Sequence, residues 1–531
     1  MKNPDLIPVF TPKQMRAAEK TAFDKGVHPL LLMEDAARSI IDRLRRIMGS
    51  LTDKSFLILA GPGNNGGDGT AIARLLLRYT RRVHVLFPEY PKTESHLAQL
   101  RYYQALDGAC SFLKAGTEAA EIERLILSSE PDCVIDALYG TGFHGKAEGI
   151  TLQVIQAVNR FSFPHVISVD IPSGMNGETG ETVYADNGPC CIRATHTMML
   201  GVWKKGLLNT RHTDLCGKIT LCPIDLPLFE APTASCLITK KAFGWIAPRE
   251  SSVHKGSAGR VLFYAGSMGM CGAAAMAARA ALTAGAGLVT ILCTKDIMPI
   301  LQTLVPNAMC LDIDDALSSG RLPPHDVLAA GCGIGRSENA IERLRLLISG
   351  ETSPVILDAD GLNILAQTQF DLPENTLLTP HPAEAARLMG VPTEDILSDL
   401  QGSALALTGR YGVPVLLKSH VSVAAWSAQT IWQRHGSPLL AKGGSGDALC
   451  GIIAALAADR RVCSGSSSAE RLMRIAALSS MWLGLSAEAA APCYLDRCAL
   501  TSDILSHMPK VLIGERQCSS ATNVNTMSNM R

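Results

Sequence analysis

Short apolar strands that alternate with helical stretches, a single break in that alternation, and Gly-rich turns at several strand ends predict an α/β chain of two domains. Each is expected to be a largely parallel sheet with helices on both faces, because strands buried on both sides read as continuous apolar runs. The length of 531 residues allows two large domains. With 47% hydrophobic and 18% charged residues, a sizeable core is affordable and global disorder is excluded. Lys+Arg and Asp+Glu both number 49, a formal charge of +0, which gives no reason to expect nucleic acid or an anionic membrane as a partner.

In the first half, apolar spacing predicts helices over Pro12 to Ala22 and Leu30 to Met48. Strands are expected at Ser55 to Ala60, Arg82 to Phe87, Cys133 to Asp136 and His165 to Asp170, with a helix from Thr70 to Tyr79. Near Asp225 the pattern stops and prolines follow, so the domains are drawn as 1–228 and 241–512 with a linker over 229–240. The second series takes strands at Arg260 to Ala265, Leu288 to Cys293, Pro354 to Asp358 and Val413 to Lys418. Cys271 to Cys293 reads as a buried helix running into a strand, too interrupted by Arg279, Gly285 and Gly287 for a membrane span. The polar tail 513–531 is expected to be disordered. No secretory h-region follows Met1, and the 16 cysteines are scattered without C-x-x-C spacing, so a cytoplasmic protein with structural thiols is expected.

Two chemical sites stand out. In the first, Gly61-Pro-Gly-Asn-Asn-Gly-Gly-Asp-Gly69 joins a strand to a helix and lacks the Gly-Lys-Ser/Thr of a P-loop. Asn64, Asn65, Gly66, Gly67 and Asp68 are its candidate ligand contacts, at the strand ends where open α/β sheets bind ligands. Val134 to Gly142 ends a strand on Asp136 and opens a second Gly-rich turn, while Val169 to Gly174 ends another on Asp170 and Ser173. One strand-end Asp can be a helix cap; three polar strand ends along one sheet edge read as a site. In the second, Gly443, Gly444, Ser445 and Gly446 precede an apolar helix as an anion-receptive run of amides, with Asp447 in the first turn as a candidate general base. Leu378 to Glu384 carries His381 between two prolines, and Val415 to Ser419 ends a strand on Lys418.

The G-P-G-N-N-G-G-D-G, D-A-L-Y-G-T-G and V-D-I-P-S-G segments together resemble the NAD(P)HX epimerase family over about residues 10 to 228. The resemblance implies a Rossmann-like αβα domain that interconverts the R and S hydrates of reduced nicotinamide dinucleotides. It implies a potassium ion on Asn65, Asp136 and Ser173, a phosphate-binding segment of Gly140, Thr141, Gly142, Phe143, His144, Gly145 and Lys146, and Asp170 as acid/base. An oxygen-only ligand set suits such a hard cation. Met33-Glu34-Asp35 departs from the family's Met-Glu-Asn.

H-K-G-S-A-G-R, L-D-A-D-G-L-N, T-P-H-P-A-E, L-L-K-S and G-G-S-G-D, in that order over about 240 to 510, resemble the ADP- or ATP-dependent NAD(P)HX dehydratases of the ribokinase-like αβα fold. Carried over, Ala273, Gly335, His381 and Asp447 are hydrate-binding positions, and Lys418, Ser419, His420, Val421, Ser422 and Gly446 are nucleotide-binding positions. Magnesium accompanying ADP or ATP, with ADP favoured, and a homo-oligomer such as a tetramer are further implications. Gly331-Cys332-Gly333 replaces the family's Gly-Pro-Gly, and Lys418-Ser419 replaces its Lys-Gly. Lys442 also stands where a neutral residue is common. A ribokinase-class small-molecule kinase, and an N-terminal domain that only binds dinucleotide, are the alternatives weighed.

Overall fold

The structure, a computed structural model, describes residues 4–114, 116–185, 188–209, 211–228 and 234–528, with side chains to 514. It divides into two compact units, Pro8–Thr233 and Met1–Ile7 with Ala234–Arg531.

The first unit holds a seven-stranded parallel sheet. Its order is Lys218–Cys222, His196–Leu200, His165–Val169, Cys133–Ala137, Phe56–Ala60, Val83–Phe87 and Ala109–Phe112. Phe56 to Ala60 and Cys133 to Ala137 are buried at every residue, because helices cover both faces. One face packs on Met33, Ala37, Ile40, Leu44 and Ile72, the other on Ile122, Ile126, Val154 and Val158. Helix Pro12–Asp24 opens with a capping box in which Thr11 Oγ1 accepts from the Gln14 amide and Gln14 Oε1 from the Thr11 amide. Order reverses beside Phe56–Ala60, so its carboxyl end and that of Cys133–Ala137 flank the crevice where ligands enter such sheets.

The second unit carries the order Ser235–Ile238, Gln429–Gln433, Ser422–Trp426, Val415–Leu417, Thr376–Leu378, Val355–Leu357, Val327–Ala330, Arg260–Tyr264, Leu288–Cys293 and Met309–Asp312. Seven consecutive strands, from Val415–Leu417 to Met309–Asp312, run parallel; Ser422–Trp426 is antiparallel to both of its neighbours. Small side chains let two helices approach closely: a Cβ on Gly451 of Ser445–Ala458 would lie 2.1 Å from the Ala277 carbonyl of Cys271–Ala284. No described helix is long and apolar enough to cross a membrane, and every described cysteine is free.

Three expectations are corrected. The linker drawn over 229–240 contains a strand, Ser235–Ile238, which the alternating partner Gln429–Gln433 pairs in parallel; residues 229–233 lie outside the described ones. The start of the chain also belongs with the second unit: Thr239 Oγ1 donates to the Pro4 carbonyl and Trp245 Nε1 to Asp5. The tail continues the last helix, Thr501–Ser528, and its final three residues lie outside the described ones. Once Ile504, Leu505 and Met508 are buried, each further helical residue adds a backbone hydrogen bond without a new nucleation cost.

Candidate functional site

In the first unit the helix expected from Thr70 begins six residues earlier, at Asn64, so the Gly-rich loop is itself the first turns of Asn64–Leu76. Its glycines serve the protein more than a ligand. A Cβ on Gly61 would lie 1.8 Å from the Leu138 carbonyl oxygen, and one on Gly66 would lie 1.8 Å from that of Gly61. Gly67 and Gly69 are filled behind by Met33 and Ala137, whereas Gly63 has open space. Gly66→Ala therefore costs about 1–3 kcal/mol or more in urea unfolding and disorders the loop, while Gly63→Ala, at φ −90°, is close to neutral.

A cavity of about 620 Å³ opens at this edge, lined by Gly63, Asn64, Asn65 and Asp68 from the loop, Gly140 to His144 from the next turn, and Asp170. Gly66, Gly67, Gly145 and Lys146 do not line it. Two further residues, Glu19 and Lys204, do; the sequence reading did not single them out. Lys204 follows the strand His196–Leu200 in Trp203-Lys204-Lys205-Gly206, so a basic residue beyond a buried strand end was the available signal. Asp170 sits at φ 68°, a left-handed conformation that Asp tolerates better than most residues. There its Oδ1 accepts from the Leu200 amide at 3.2 Å and meets Lys204 Nζ at 2.9 Å. Lys204 is 1% exposed and also donates to the Leu200 carbonyl. Burial, then repulsion from Asp170, raises both Asp68 and Glu19 above the ordinary carboxylate range, with Lys204 opposing. Three carboxyls around one ammonium can hold and move protons, as an acid/base site must.

Asp136 and Ser173 lie behind that cavity. The fully buried Asp136 carboxylate accepts from Ser168 Oγ at 2.7 Å, the Ser173 amide at 2.9 Å, Ser173 Oγ and the Leu138 amide. Burial raises its pKa and these donors oppose the shift. It has no basic ion-pair partner among the described residues, and the Asn65 side-chain nitrogen is buried without a partner. His96, also missed, supports the loop from behind, with Nε2 2.9 Å from Thr70 Oγ1. Burial lowers its pKa to about 4, the Pro62 and Gly63 carbonyls opposing. A histidine held neutral in the folded state gives its full contribution above the unfolded pKa near 6.5, and that contribution is lost as pH falls toward 4. Urea unfolding of the wild type should thus lose about 3 kcal/mol between pH 7 and 4 that a His96→Gln chain does not lose.

In the second unit, Gly444 at φ 91° turns the chain into Ser445–Ala458 and places Asp447 in the first turn. Thr501 Oγ1 holds the Gly443 carbonyl, and Lys442 donates to the carbonyls of Arg497 and Ala499, which accounts for its charge without a phosphate. Ala359, at φ 50°, is a strained turn of about 1–3 kcal/mol. It directs two neighbouring carboxylates: Asp358 Oδ1 meets Lys418 Nζ at 2.6 Å, and Asp360 Oδ2 accepts from the Gly335 amide at 2.9 Å. A Cβ on Gly446 would lie 3.7 Å from Lys418 Nζ, so the amide turn, Lys418 and Asp358 converge. Burial works against the Lys418 charge, but Asp358 and Glu384 hold its pKa above the ordinary lysine value. Burial raises Asp447, with Cys332 hydrogen-bonding to it and Lys418 opposing the rise, and Asp358 adding to it.

Ala273 and Gly335 meet the same edge: a Cβ on Gly333 would be 3.0 Å from the Ala273 methyl, and Ser267 Oγ donates to the Gly333 carbonyl. Ser419, His420, Val421 and Ser422 form the reversal from Val415–Leu417 into Ser422–Trp426. His381 is a cap: its Nδ1 accepts from the amides of Ala383 and Glu384, so its hydrogen sits on Nε2, 3.4 Å from Glu384. Burial, then Lys418, lowers its pKa. Capping, more than the flanking prolines, holds the ring, and its 48% exposure leaves it open to a ligand. A cavity of about 1350 Å³ at the amino ends of these strands contains none of these motif residues.

The fold and these two strand-end sites define a two-domain α/β protein with a carboxylate-bearing cleft in one unit and a glycine turn beside a buried carboxylate in the other. A family profile described as NAD(P)H-hydrate dehydratase matches residues 261–509, and one described as YjeF-related protein N-terminus matches residues 30–206. The bifunctional NAD(P)H-hydrate repair enzyme Nnr of Moorella thermoacetica is 32% identical over 527 residues, 95% of this chain and 96% of its own. That of Escherichia coli is 33% identical over 462 residues, 86% of each. The chain belongs to the bifunctional NAD(P)H-hydrate repair enzyme family. A solved ADP/ATP-dependent NAD(P)H-hydrate dehydratase from Bacillus subtilis, co-crystallised with ATP and Mg2+, is 24% identical, covering 52% of this chain and 97% of that one, at TM-score 0.46.

Proposed function

We propose that the chain repairs hydrated reduced nicotinamide dinucleotides in two steps, epimerising the R and S hydrates in the first unit and dehydrating the S form in the second at the expense of ADP or ATP. The observation that carries the reading is Asp447, a carboxylate with raised proton affinity in the first turn of a helix, beside a glycine turn and the Lys418–Asp358 pair.

In the dehydratase, hydroxide is a poor leaving group, so it is first esterified. Asp447 takes the proton of the hydrate hydroxyl as the hydroxyl oxygen attacks the terminal phosphorus of the nucleotide, whose bond to the bridging oxygen breaks to release AMP from ADP or ADP from ATP. Amides of Gly443 to Gly446 and the Lys418 ammonium offset charge on the transferring phosphoryl group. The phosphate ester then loses phosphate with a ring proton, restoring the reduced ring. Asp358 and Asp360 would hold a magnesium ion brought with the nucleotide, which would supply charge neutralisation at the phosphates. Its oxygen preference agrees with these two carboxylates.

In the epimerase, inversion breaks the bond between the hydrated carbon and its hydroxyl oxygen and re-forms it from the other face of the ring; Asp170, oriented by Lys204, delivers the proton that the departing oxygen takes up and recovers it from the water that adds back. The glycine turn from Gly140 receives the dinucleotide phosphates. A potassium ion fits the oxygens of Asn65, Asp136 and Ser173: it would supply the positive charge that the buried Asp136 otherwise draws only from hydrogen bonds, and so stiffen the two loops. We also infer a cytoplasmic homo-oligomer.

The test follows the near-ultraviolet absorbance of the reduced ring on mixed-epimer NADHX, with ADP or ATP, in potassium and then in a large organic cation. Full recovery dependent on a nucleotide, slowed at the R fraction without potassium, is expected. Stable phosphate transfer to another small molecule without ring recovery would instead identify a kinase.

A further inference from the structure

Two thiols that the two-step repair does not use meet the Asp358 carboxylate near the dehydratase base. Cys332, in the turn after Val327–Ala330, has its sulfur within 4.8 Å of both the Cys450 sulfur and an Asp358 oxygen, and all three residues are buried. Cys450 stands one turn beyond Asp447 on Ser445–Ala458, and Asp358 follows the strand Val355–Leu357, so three separate elements converge. The Cys332 thiol also interacts electrostatically with Asp447, the dehydratase base. Cys332 is also one of the departures from the family pattern, standing where proline is usual. A buried thiol is normally a small apolar filler, but a second thiol and a carboxylate at ligand spacing exceed what filling a gap requires.

Donor chemistry selects the ligand. Magnesium and potassium take oxygen, whereas two thiolates with one carboxylate suit a tetrahedral, borderline-soft ion of the zinc class. Zinc–sulfur bonds of about 2.3 Å place two sulfurs about 3.8 Å apart, within the 4.8 Å limit inside which these donor atoms lie. We propose that Cys332, Cys450 and Asp358 form a binding site for a thiophilic divalent cation, with its fourth position taken by water, and that filling it switches off the dehydratase and spares the epimerase. Binding releases the two thiol protons, takes Asp358 from Lys418 and sets a cation close to Asp447, which weakens that carboxylate as a base for the hydrate proton. Metal binding itself does not depend on the functional reading; its consequence for turnover does.

The experiment uses the full chain, stripped with chelator and free of nucleotide, titrated with zinc chloride by equilibrium dialysis and with cobalt(II) by absorbance. The expected result is one zinc per chain bound at least tenfold more tightly than by Cys450→Ala or Cys450→Ser, and a thiolate-to-cobalt charge-transfer band that both variants lose. Zinc should then inhibit dehydration over the range that fills the site, reversibly with chelator. The midpoint should rise tenfold or more in Cys450→Ala, with epimerisation unchanged. Equal zinc binding by wild type and variants, or a cobalt spectrum without the thiolate band, overturns the site. Binding without inhibition overturns the switch. Should the chain lack dehydratase turnover altogether, the functional reading fails while the dialysis and cobalt measurements still decide the site.

Discussion

Asp447→Asn lowers dehydration of S-NADHX by about 100- to 10,000-fold, the usual contribution of a positioned base, and leaves epimerisation at the wild-type rate. The side chain keeps its shape, and its helix keeps its turn at Gly444, so folding is preserved. The pH profile is a sharper test than the loss itself. Burial raises the Asp447 pKa, and a base must be deprotonated to act, so the wild-type rate falls on the acid side with a midpoint above the ordinary carboxylate range. In the Asn variant, residual turnover should lose that limb. A variant that retained near-normal turnover would remove Asp447 from the chemistry.

The second large effect falls on the ion pair of the first unit. Asp170→Asn should cut enzymatic epimerisation by a similar 100- to 10,000-fold, so that recovery from mixed epimers stops at the S fraction and creeps on at the spontaneous rate. Lys204→Met acts differently. Breaking a buried pair costs about 3–5 kcal/mol, because the remaining charge is stranded, and here Asp68 and Glu19 are stranded beside it. Urea unfolding should therefore show a destabilised chain. The Lys204→Met/Asp170→Asn double variant should recover part of that stability and none of the activity. If Lys204→Met is as stable as the wild type, the pair is not the centre of this cluster.

Much of this was legible from local pattern. The loop at Gly61, the turn at Gly140, the strand end at Asp170 and the Gly turn before Asp447 could be placed because alternating apolar strands and helices leave only one edge for their carboxyl ends. Helix starts were less legible: Asn64 to Gly69 reads as a turn by composition, yet it is helical because Gly66, Gly67 and Gly69 let the helix press against Gly61, Met33 and Ala137. Ser235–Ile238 was hidden for the converse reason, since four residues after a proline-rich stretch carry little periodicity, and pairing with Gln429–Gln433 makes them a strand.

What the sequence determined by itself was the class, the family and the place of the candidate strand ends, because those depend on residue types at short spacing. Tertiary structure alone decided their partners. Lys204 joins Asp170 from 34 positions away, Lys418 joins Asp358 from 60, and Cys332 meets Cys450 across different elements. Charge pairing and burial act through space, and only the packed sheet brings such distant residues within the few ångströms over which they set one another's protonation.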